Sequence, residues 1–405
     1  MTGATPGSAR RAIAIDYFSP SIRMGVQNAV ALESAALLRS AHVDACLIPG
    51  RTAAAVKRIA GPRTTNRIIE GIPLARIHRH PQLTIASRIR RRSMLAGRST
   101  TAVERLLVRL FSTIARQCDS DAVVGTQSSC LELFEGRKYC VMDQVSPPLR
   151  YERAIAAEEL SRFPEWAPDA VGGSRPWDHR MEVEWEAADL IWVPSHHLIQ
   201  ISSRYGADPL KFRVVPYPIN GPKLAGTIKD PGTCRPLRIV FAGTLMLEKG
   251  VQYIYQALHK RPDLPVRMEF FGSINLAPLG VRRLTEVGTV HGPVPRSELL
   301  KEFRNADILL FPSLSEGSAL VTLEAAALGL PVVATEEAGA PTSAMVIPSR
   351  SPEAITAVIE MLADDPTQLE RLATAGLNEA AARTKAMYSE GIVDSIKTLT
   401  SSKGA

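Results

Sequence analysis

The stretch FPSLSEGSALVTLEAAALGLPVVAT, Phe311 to Thr335, decides how this chain folds. Read with the residues just before it, DILLFPS is an almost unbroken apolar run, as a strand buried on both faces of a parallel sheet requires. LSEGS is a turn by its Gly and Ser content. SALVTLEAAALG predicts a helix from about Ser318 that stops at Gly329, with Pro331 just beyond, and PVVAT is the next strand. The amides of Ser318, Ala319 and Leu320 then lie at a helix N-terminus, lack intrahelical acceptors and favour an anion such as phosphate. Glu316 stands in the turn before them and Glu324 almost two turns beyond. Neither carboxylate suits the phosphate, but both suit neutral hydroxyls. A ligand ordered sugar, diphosphate, sugar satisfies all three features, and that is a nucleotide sugar.

Upstream, LRIVFAGTLMLEKGVQYI supplies a second anion feature. A strand ends at Gly243, and Lys249 and Gly250 precede the next helix. A lysine there can neutralise a diphosphate, and Gly250 permits close backbone approach. The rest of the second half continues the alternation: VRMEFFGS, SELLKEFRNA, then three helical stretches from Pro352. In the first half, RAIAIDYF, VDACLIPG, DAVVGTQS, KYCVMDQ and AADLIWVPS read as strands, and GVQNAVALESAALLRS as a helix. Strands alternating with helices predict parallel sheets covered on both faces. Between Val215 and Pro236, Pro and Gly cluster and periodicity vanishes, which marks a linker. The expected domains are 1–217, with a basic excursion at about 50–116, and 218–383, followed by a C-terminal helix and tail at 384–405, the helix packing back on the first domain. Ligands of doubly wound sheets sit at the C-terminal ends of the strands, so a cleft between two such domains is the expected site.

A length of 405 residues fits two domains better than one core. No apolar run reaches the roughly 18 residues of a spanning helix. Arg10 and Arg11 precede a short apolar stretch that Asp16 interrupts, a first strand rather than a signal peptide. The cysteines Cys46, Cys118, Cys130, Cys140 and Cys234 are odd in number and none forms C-x-x-C, which argues against a zinc site or a disulfide framework. The net charge of +7 is concentrated between Arg51 and Arg116, where Glu70 and Glu104 stand against a long series of Arg and Lys. That face is open to three readings: a solvated basic surface, a dock for an anionic membrane near a lipid-linked acceptor, or nucleic-acid binding. The last lacks aromatic interleaving or a nucleic-acid motif, and no nucleic-acid partner is expected.

AGTLMLEKG, MEFFGS, HGPV, NADILLFPS and the E-x7-E run from Glu316 to Glu324 together resemble the retaining GT-B glycosyltransferases of the family 4, or group 1, type. The resemblance covers the second half and echoes weakly in the first. It implies an α/β, GT-B fold: two Rossmann-like doubly wound domains facing each other across a cleft. It also implies that Glu316 contacts donor-sugar hydroxyls, Glu324 the ribose, and that Lys249 with the turn Gly317, Ser318, Ala319 and Leu320 holds the diphosphate. Gly25 and Gly243 would allow close backbone approach. Thr244 stands where many members have Arg, and Arg23 or the Arg282–Arg283 pair could substitute. Asp143 falls near the place of a first-domain His. The catalytic set expected is Glu316, Lys249 and Asp143.

The implied activity is metal-independent, cofactor-free transfer of a hexose, with retention, from a UDP-sugar ahead of a GDP-sugar. The acceptor would be a glycan or lipid-linked hydroxyl, in cell-surface polysaccharide or glycolipid synthesis. The expected location is the cytoplasm, peripheral at the inner membrane face. A GT-B epimerase or phosphorylase, or a non-catalytic nucleotide-sugar-binding protein, are the alternatives.

Overall fold

The structure is a computed structural model describing residues 13–19, 30–44, 74–80, 109, 113, 116–167, 179–219 and 236–402. Gly25, Arg23, most of the basic stretch between Arg51 and Arg116, residues 168–178 and the Pro/Gly-rich sequence 220–235 lie outside the described residues.

Two sheets organise the described chain. The first is seven-stranded, in the order β3-β2-β1-β4-β5-β6-β7. Its strands are β1 (Ile15–Ser19), β2 (Leu38–Asp44), β3 (Ile77–His80), β4 (Ala122–Thr126), β5 (Tyr139–Asp143), β6 (Leu190–Val193) and β7 (Phe212–Val214). Pairing is parallel from β3 through β5. The second is six-stranded, in the order β10-β9-β8-β11-β12-β13, and parallel throughout. Its strands are β8 (Leu237–Ala242), β9 (Val266–Phe271), β10 (Gly288–Gly292), β11 (Ile308–Phe311), β12 (Val332–Thr335) and β13 (Met345–Ile347). The strand order reverses between β1 and β4 and again between β8 and β11. Those reversals are the switch points where doubly wound sheets hold ligands.

By packing, the chain divides into two compact units, Met1–Asp143 with Val183–Ile191 and Ser389–Ala405, and Gln144–Glu182 with Trp192–Tyr388. In the first, Ile15, Tyr17 and Phe18 of β1 are fully buried beside Val123 and Val124 of β4 and Val141 and Met142 of β5. A short helix α1 (Leu131–Phe134) follows β4. Glu184, fully buried on α3 (Arg180–Ala187), accepts from the amides of Ser128 at 2.7 Å and Cys130 at 2.9 Å, satisfying the turn before α1. The helix read over Gly25–Ser40 ends early. Residues 30–34 are helical, Ala36 takes φ 56°, and β2 begins at Leu38 rather than near Val43. Leu38 and Ala41 are buried in register with Ile15 and Tyr17. Their spacing fits a helix and a strand equally, and pairing with β1 decides for the strand.

In the second unit the strands read from sequence appear where expected, clothed by helices α5 (Val251–Lys260), α6 (Pro278–Val287), α7 (Arg296–Asn305), α8 (Leu320–Ala327), α9 (Pro352–Asp364) and α10 (Pro366–Ala382). On α5, Val251, Ile254, Ala257 and Leu258 form the buried stripe of an amphipathic helix. Helix α8 is almost all Ala and aliphatic because it packs between β11, β12 and α10. A Cβ on Gly376 of α10 would lie 3.2 Å from the Ala326 carbonyl oxygen, so the helices approach closely. Gly329, at φ 72°, stops α8 as its sequence requires.

Helix α2 (Leu149–Arg162) and the turn Pro164–Trp166 precede β8 by more than seventy residues, yet Ile155 and Trp166 belong to the core of the second unit. Trp166 packs against Gly280, and its carbonyl accepts from Ala277 N at 3.0 Å. Helix α4 (His196–Arg204) and the Tyr217–Tyr388 ring pair also belong to this unit. From Ser389 onward, α11 (Lys385–Ser402) groups with the first unit, where Ser389 Oγ donates to Ala31 O at 2.9 Å. No helix among the described residues is long and apolar enough to cross a membrane.

Candidate active site

At the second switch point two loops are fastened together. The first leaves β8 at Gly243. Thr244 Oγ1 lies 3.0 Å from Ser273 Oγ, and Leu245 N donates to Ser273 O at 2.8 Å. A single 3-10 turn, Leu247–Lys249, ends at Gly250, whose φ is 73°. A Cβ there would sit 2.0 Å from the Pro312 carbonyl oxygen, so both conformation and space demand glycine. The second loop leaves β11 at Pro312. Its Leu314 N donates to Glu248 O at 2.8 Å. The effect is to place Lys249 beside Glu316. Lys249 Nζ donates to Glu316 Oε1 and lies 3.4 Å from Ser315 O. The two expected catalytic groups of this unit are therefore an ion pair, each side chain about one-fifth exposed.

The turn into α8 is equally constrained. A Cβ on Gly317 would fall 1.9 Å from Val145 O, and one on Gly339 2.5 Å from Gly317 O. Ser195 Oγ donates to Gly317 O at 2.7 Å, and Ser318 Oγ to Gly339 O at 3.0 Å. The helix itself starts at Leu320, with Ala319 at the N-cap, two residues later than the sequence suggests. The reason is that Ala319 N donates to Ala338 O at 2.9 Å, which holds the turn open. Ala319 is thereby removed from the expected trio of open amides. Leu320 and Val321 supply the first-turn amides that have no backbone acceptor among the described residues. Ser315 Oγ is buried beside this turn with no hydrogen-bond partner among them.

Glu324 lies on α8 as expected and accepts from Arg296 Nε at 2.8 Å. Asp143 closes β5, is buried, and accepts from Tyr17 Oη at 2.8 Å. Gly25 lies outside the described residues. Of the cations suggested for the place of Thr244, Arg283 is engaged elsewhere: it pairs with Glu165 at 2.7 Å and lies over the rings of Trp166 and Tyr255. Arg23 is outside the described residues. His197, the second residue of α4, is half-buried with Nε2 unpartnered among the described residues. Burial holds its imidazole below the usual histidine range, against the pull of Glu337 and Glu336.

The sequence reading missed α2. Its first turn carries Tyr151, whose hydroxyl donates to Leu314 O at 3.2 Å, and Glu152. Burial pushes the Glu152 carboxyl up to about 7; Lys249 opposes the rise, and Glu316 and Glu248 add to it. Lower on the same helix, fully buried Glu159 accepts from Gln252 Nε2 at 2.8 Å, Tyr253 Oη at 2.7 Å and Arg350 Nε at 2.6 Å. No spacing in LRYERAIAAEELSRFPEW announces that it folds onto a sheet formed far downstream. The local signal was the Pro147–Pro148 pair, which sets up a helix start.

Two sheets wound in this way, with a lysine and an open helix tip meeting at the switch point of the second, define the GT-B class of fold. Solved structures agree. The Anabaena protein HepE, solved with UDP and glucose, matches with TM-score 0.57 at 13% identity over 95% of this chain and 100% of that one. The lipopolysaccharide outer core galactosyltransferase WaaB matches with TM-score 0.59 at 14% identity over 95% and 99%. At such identities the likeness establishes the fold. Residues 236–365 match the family of glycosyl transferases group 1. The D-inositol 3-phosphate glycosyltransferase of Pseudarthrobacter chlorophenolicus is 32% identical over 192 residues, 41% of this chain and 45% of that protein. The chain spans about half the length of the curated relatives it matches.

Proposed function

We propose that this protein transfers a hexose from a UDP-sugar to a hydroxyl of a glycan or lipid-linked acceptor, with retention at the anomeric carbon. The observation that carries the reading is the convergence of Lys249, Glu316 and the N-terminus of α8 at the β8/β11 switch point. HepE, the fold neighbour, was solved with UDP-glucose, which favours uridine in the donor.

Lys249 exchanges Glu316 for the diphosphate, joined by the amides of Leu320 and Val321. Glu316, released, accepts from donor-sugar hydroxyls, and Glu324 turns from Arg296 to the ribose. As the bond from the anomeric carbon to the diphosphate breaks, negative charge grows on the leaving oxygen, and preorganised donors stabilise it. The acceptor oxygen bonds to the same face, and its proton passes to the leaving diphosphate oxygen. Leaving-group charge is met by protein groups, so the scheme needs no metal ion and no cofactor. Asp143, which accepts from Tyr17 at the end of β5, is proposed to stand in for the first-domain histidine that the resemblance implies.

The test is release of UDP from a panel of nucleotide sugars. Slow hydrolysis of one donor, lost in Glu316→Ala, is the expected result. Interconversion of sugars without UDP release would mean an epimerase, and thermal stabilisation without turnover would mean a binder. The acceptor is proposed to lie at a membrane surface, supported by the arginine-rich sequence 51–116. Flotation with anionic vesicles is then expected for the wild type and should be reduced when Arg90, Arg91 and Arg92 are neutralised. Failure of the wild type to float would remove the membrane from the account.

A further inference from the structure

The loop that leaves β11 is closely tied. Ser313 Oγ donates to Glu248 O at 3.3 Å, Thr335 Oγ1 donates to Ser313 O, and Tyr151 Oη donates to Leu314 O at 3.2 Å. The Ser315 hydroxyl is the exception. Ser315 is only 7% exposed, and its Oγ has no hydrogen-bond partner among the described residues. A buried hydroxyl left unpaired is costly, and alanine would avoid the cost. The carbonyl of the same residue lies 3.4 Å from Lys249 Nζ, the ammonium that also donates to Glu316 Oε1. That ammonium marks a point within reach of Ser315 and of the Glu316 carboxylate together. When Lys249 leaves for a diphosphate, Glu316 loses its donor. Ser315 O then keeps only the 3.5 Å approach of Ser313 Oγ, and Ser315 Oγ still needs an acceptor.

We propose that Ser315 is a specificity-determining residue that reads a hydroxyl of the donor sugar, next to the hydroxyl that Glu316 holds. The inference rests on the donor-site reading above. The chemistry of the vacated point selects the group. Ser315 O needs a donor and Ser315 Oγ an acceptor, and a hydroxyl is both. An ionised phosphoryl oxygen only accepts, and an ammonium only donates. The carbonyl and hydroxyl of one serine stand close enough to share a single partner. A sugar hydroxyl in the place of the ammonium donates to Ser315 O and accepts from Ser315 Oγ, while its neighbour on the ring donates to Glu316. The site therefore favours a hexose with two adjacent free hydroxyls and disfavours one in which the hydroxyl at Ser315 is missing or blocked. Because Ser315 meets the sugar and not the diphosphate, its removal separates the UDP-sugar from UDP itself.

The experiment is calorimetry of the full chain, wild type and Ser315→Ala, with UDP, UDP-glucose, UDP-galactose and UDP-N-acetylglucosamine. The variant deletes an unpaired hydroxyl and adds nothing, so it is expected to fold. Ser315→Ala should weaken the best-bound UDP-sugar about three- to tenfold and leave UDP within about twofold of wild type, as for the loss of one neutral hydrogen bond. Deoxyfluoro analogues of that UDP-sugar then locate the hydroxyl, since fluorine cannot donate and accepts poorly. One analogue should lose in wild type about what Ser315→Ala loses, and should lose nothing further in the variant. Losses that simply add for every analogue overturn the inference. Equal weakening of UDP and the UDP-sugar would give Ser315 to the diphosphate or to the loop, and unchanged affinity for both would mean a resident water only. Either result overturns the inference and leaves the donor site standing, as does wild type that binds UDP and none of the three UDP-sugars. Absence of UDP binding to wild type overturns both.

Discussion

Replacing Lys249 with Met is expected to lower turnover of the UDP-sugar roughly 10²–10³-fold, the range seen when one preorganised donor to a developing anion is removed. Methionine keeps most of the stem's length and packing and deletes only the ammonium. UDP itself should bind more weakly by about 1.5–3 kcal/mol, roughly 10- to 150-fold, as for a charge-assisted hydrogen bond. The loss sits at the upper end for a structural reason. Glu316 accepts from Lys249, so deleting the ammonium leaves an unpaired carboxylate beside the proposed diphosphate position. Some loss of folding stability should accompany it, because each side chain of the pair is only about one-fifth exposed and truncating one partner leaves Glu316 uncompensated. Steady-state kinetics and UDP titration on the folded variant check this. Unchanged turnover would remove Lys249 from the mechanism.

The second large effect is on stability. Glu159→Ala should destabilise the protein by about 3–5 kcal/mol, the usual cost of removing one partner of a buried charge network. Glu159 is fully buried and accepts from Gln252, Tyr253 and Arg350. After truncation Arg350 retains Glu158 at 2.8 Å and Gln252 retains Leu247 O at 2.9 Å, but the Tyr253 hydroxyl loses its acceptor. In a unit of this size the melting temperature should fall by roughly 6–20 °C. Glu159→Gln, which keeps the shape and one acceptor oxygen, should lose less. The network joins α2 to α5 and to Arg350, so the loss should be accompanied by weaker UDP binding as Tyr151 and Glu152 shift. A change within about 0.5 kcal/mol, as at an ordinary surface position, would mean that α2 is not fastened through Glu159.

Most of the second sheet was legible because β8, β9 and β11 are short apolar runs closed by Gly or Pro, whereas β10 (GTVHG) and β13 (MVI) carry too little apolar pattern to be read as strands. Phe311–Thr335 shows this best, since a doubly buried strand, a turn and an Ala-rich helix leave few other folds open. The same text misplaced the start of α8 by two residues. Nothing local reveals that Ala338 O, on a loop beyond the next strand, will claim the Ala319 amide. Leu38 and Ala41 fit a helix and a strand alike, and only pairing with β1 separates the two. Glu152 and Glu159 were invisible for a different cause. Their partners, Lys249, Gln252, Tyr253 and Arg350, lie far along the chain, and one sequence carries no record of which distant residues meet. Lys249 and Glu316 were found from the chemistry a diphosphate sugar demands; that they would pair with one another was not.

The central claim is that a nucleoside diphosphate is held where the β8 loop meets the tip of α8. A crystal structure of the protein with UDP tests it most directly. The account predicts diphosphate oxygens within hydrogen-bond reach of Lys249 Nζ and of the Leu320 and Val321 amides, with Lys249 drawn off Glu316. Uridine diphosphate lodged elsewhere, with the Lys249–Glu316 pair intact, would contradict it.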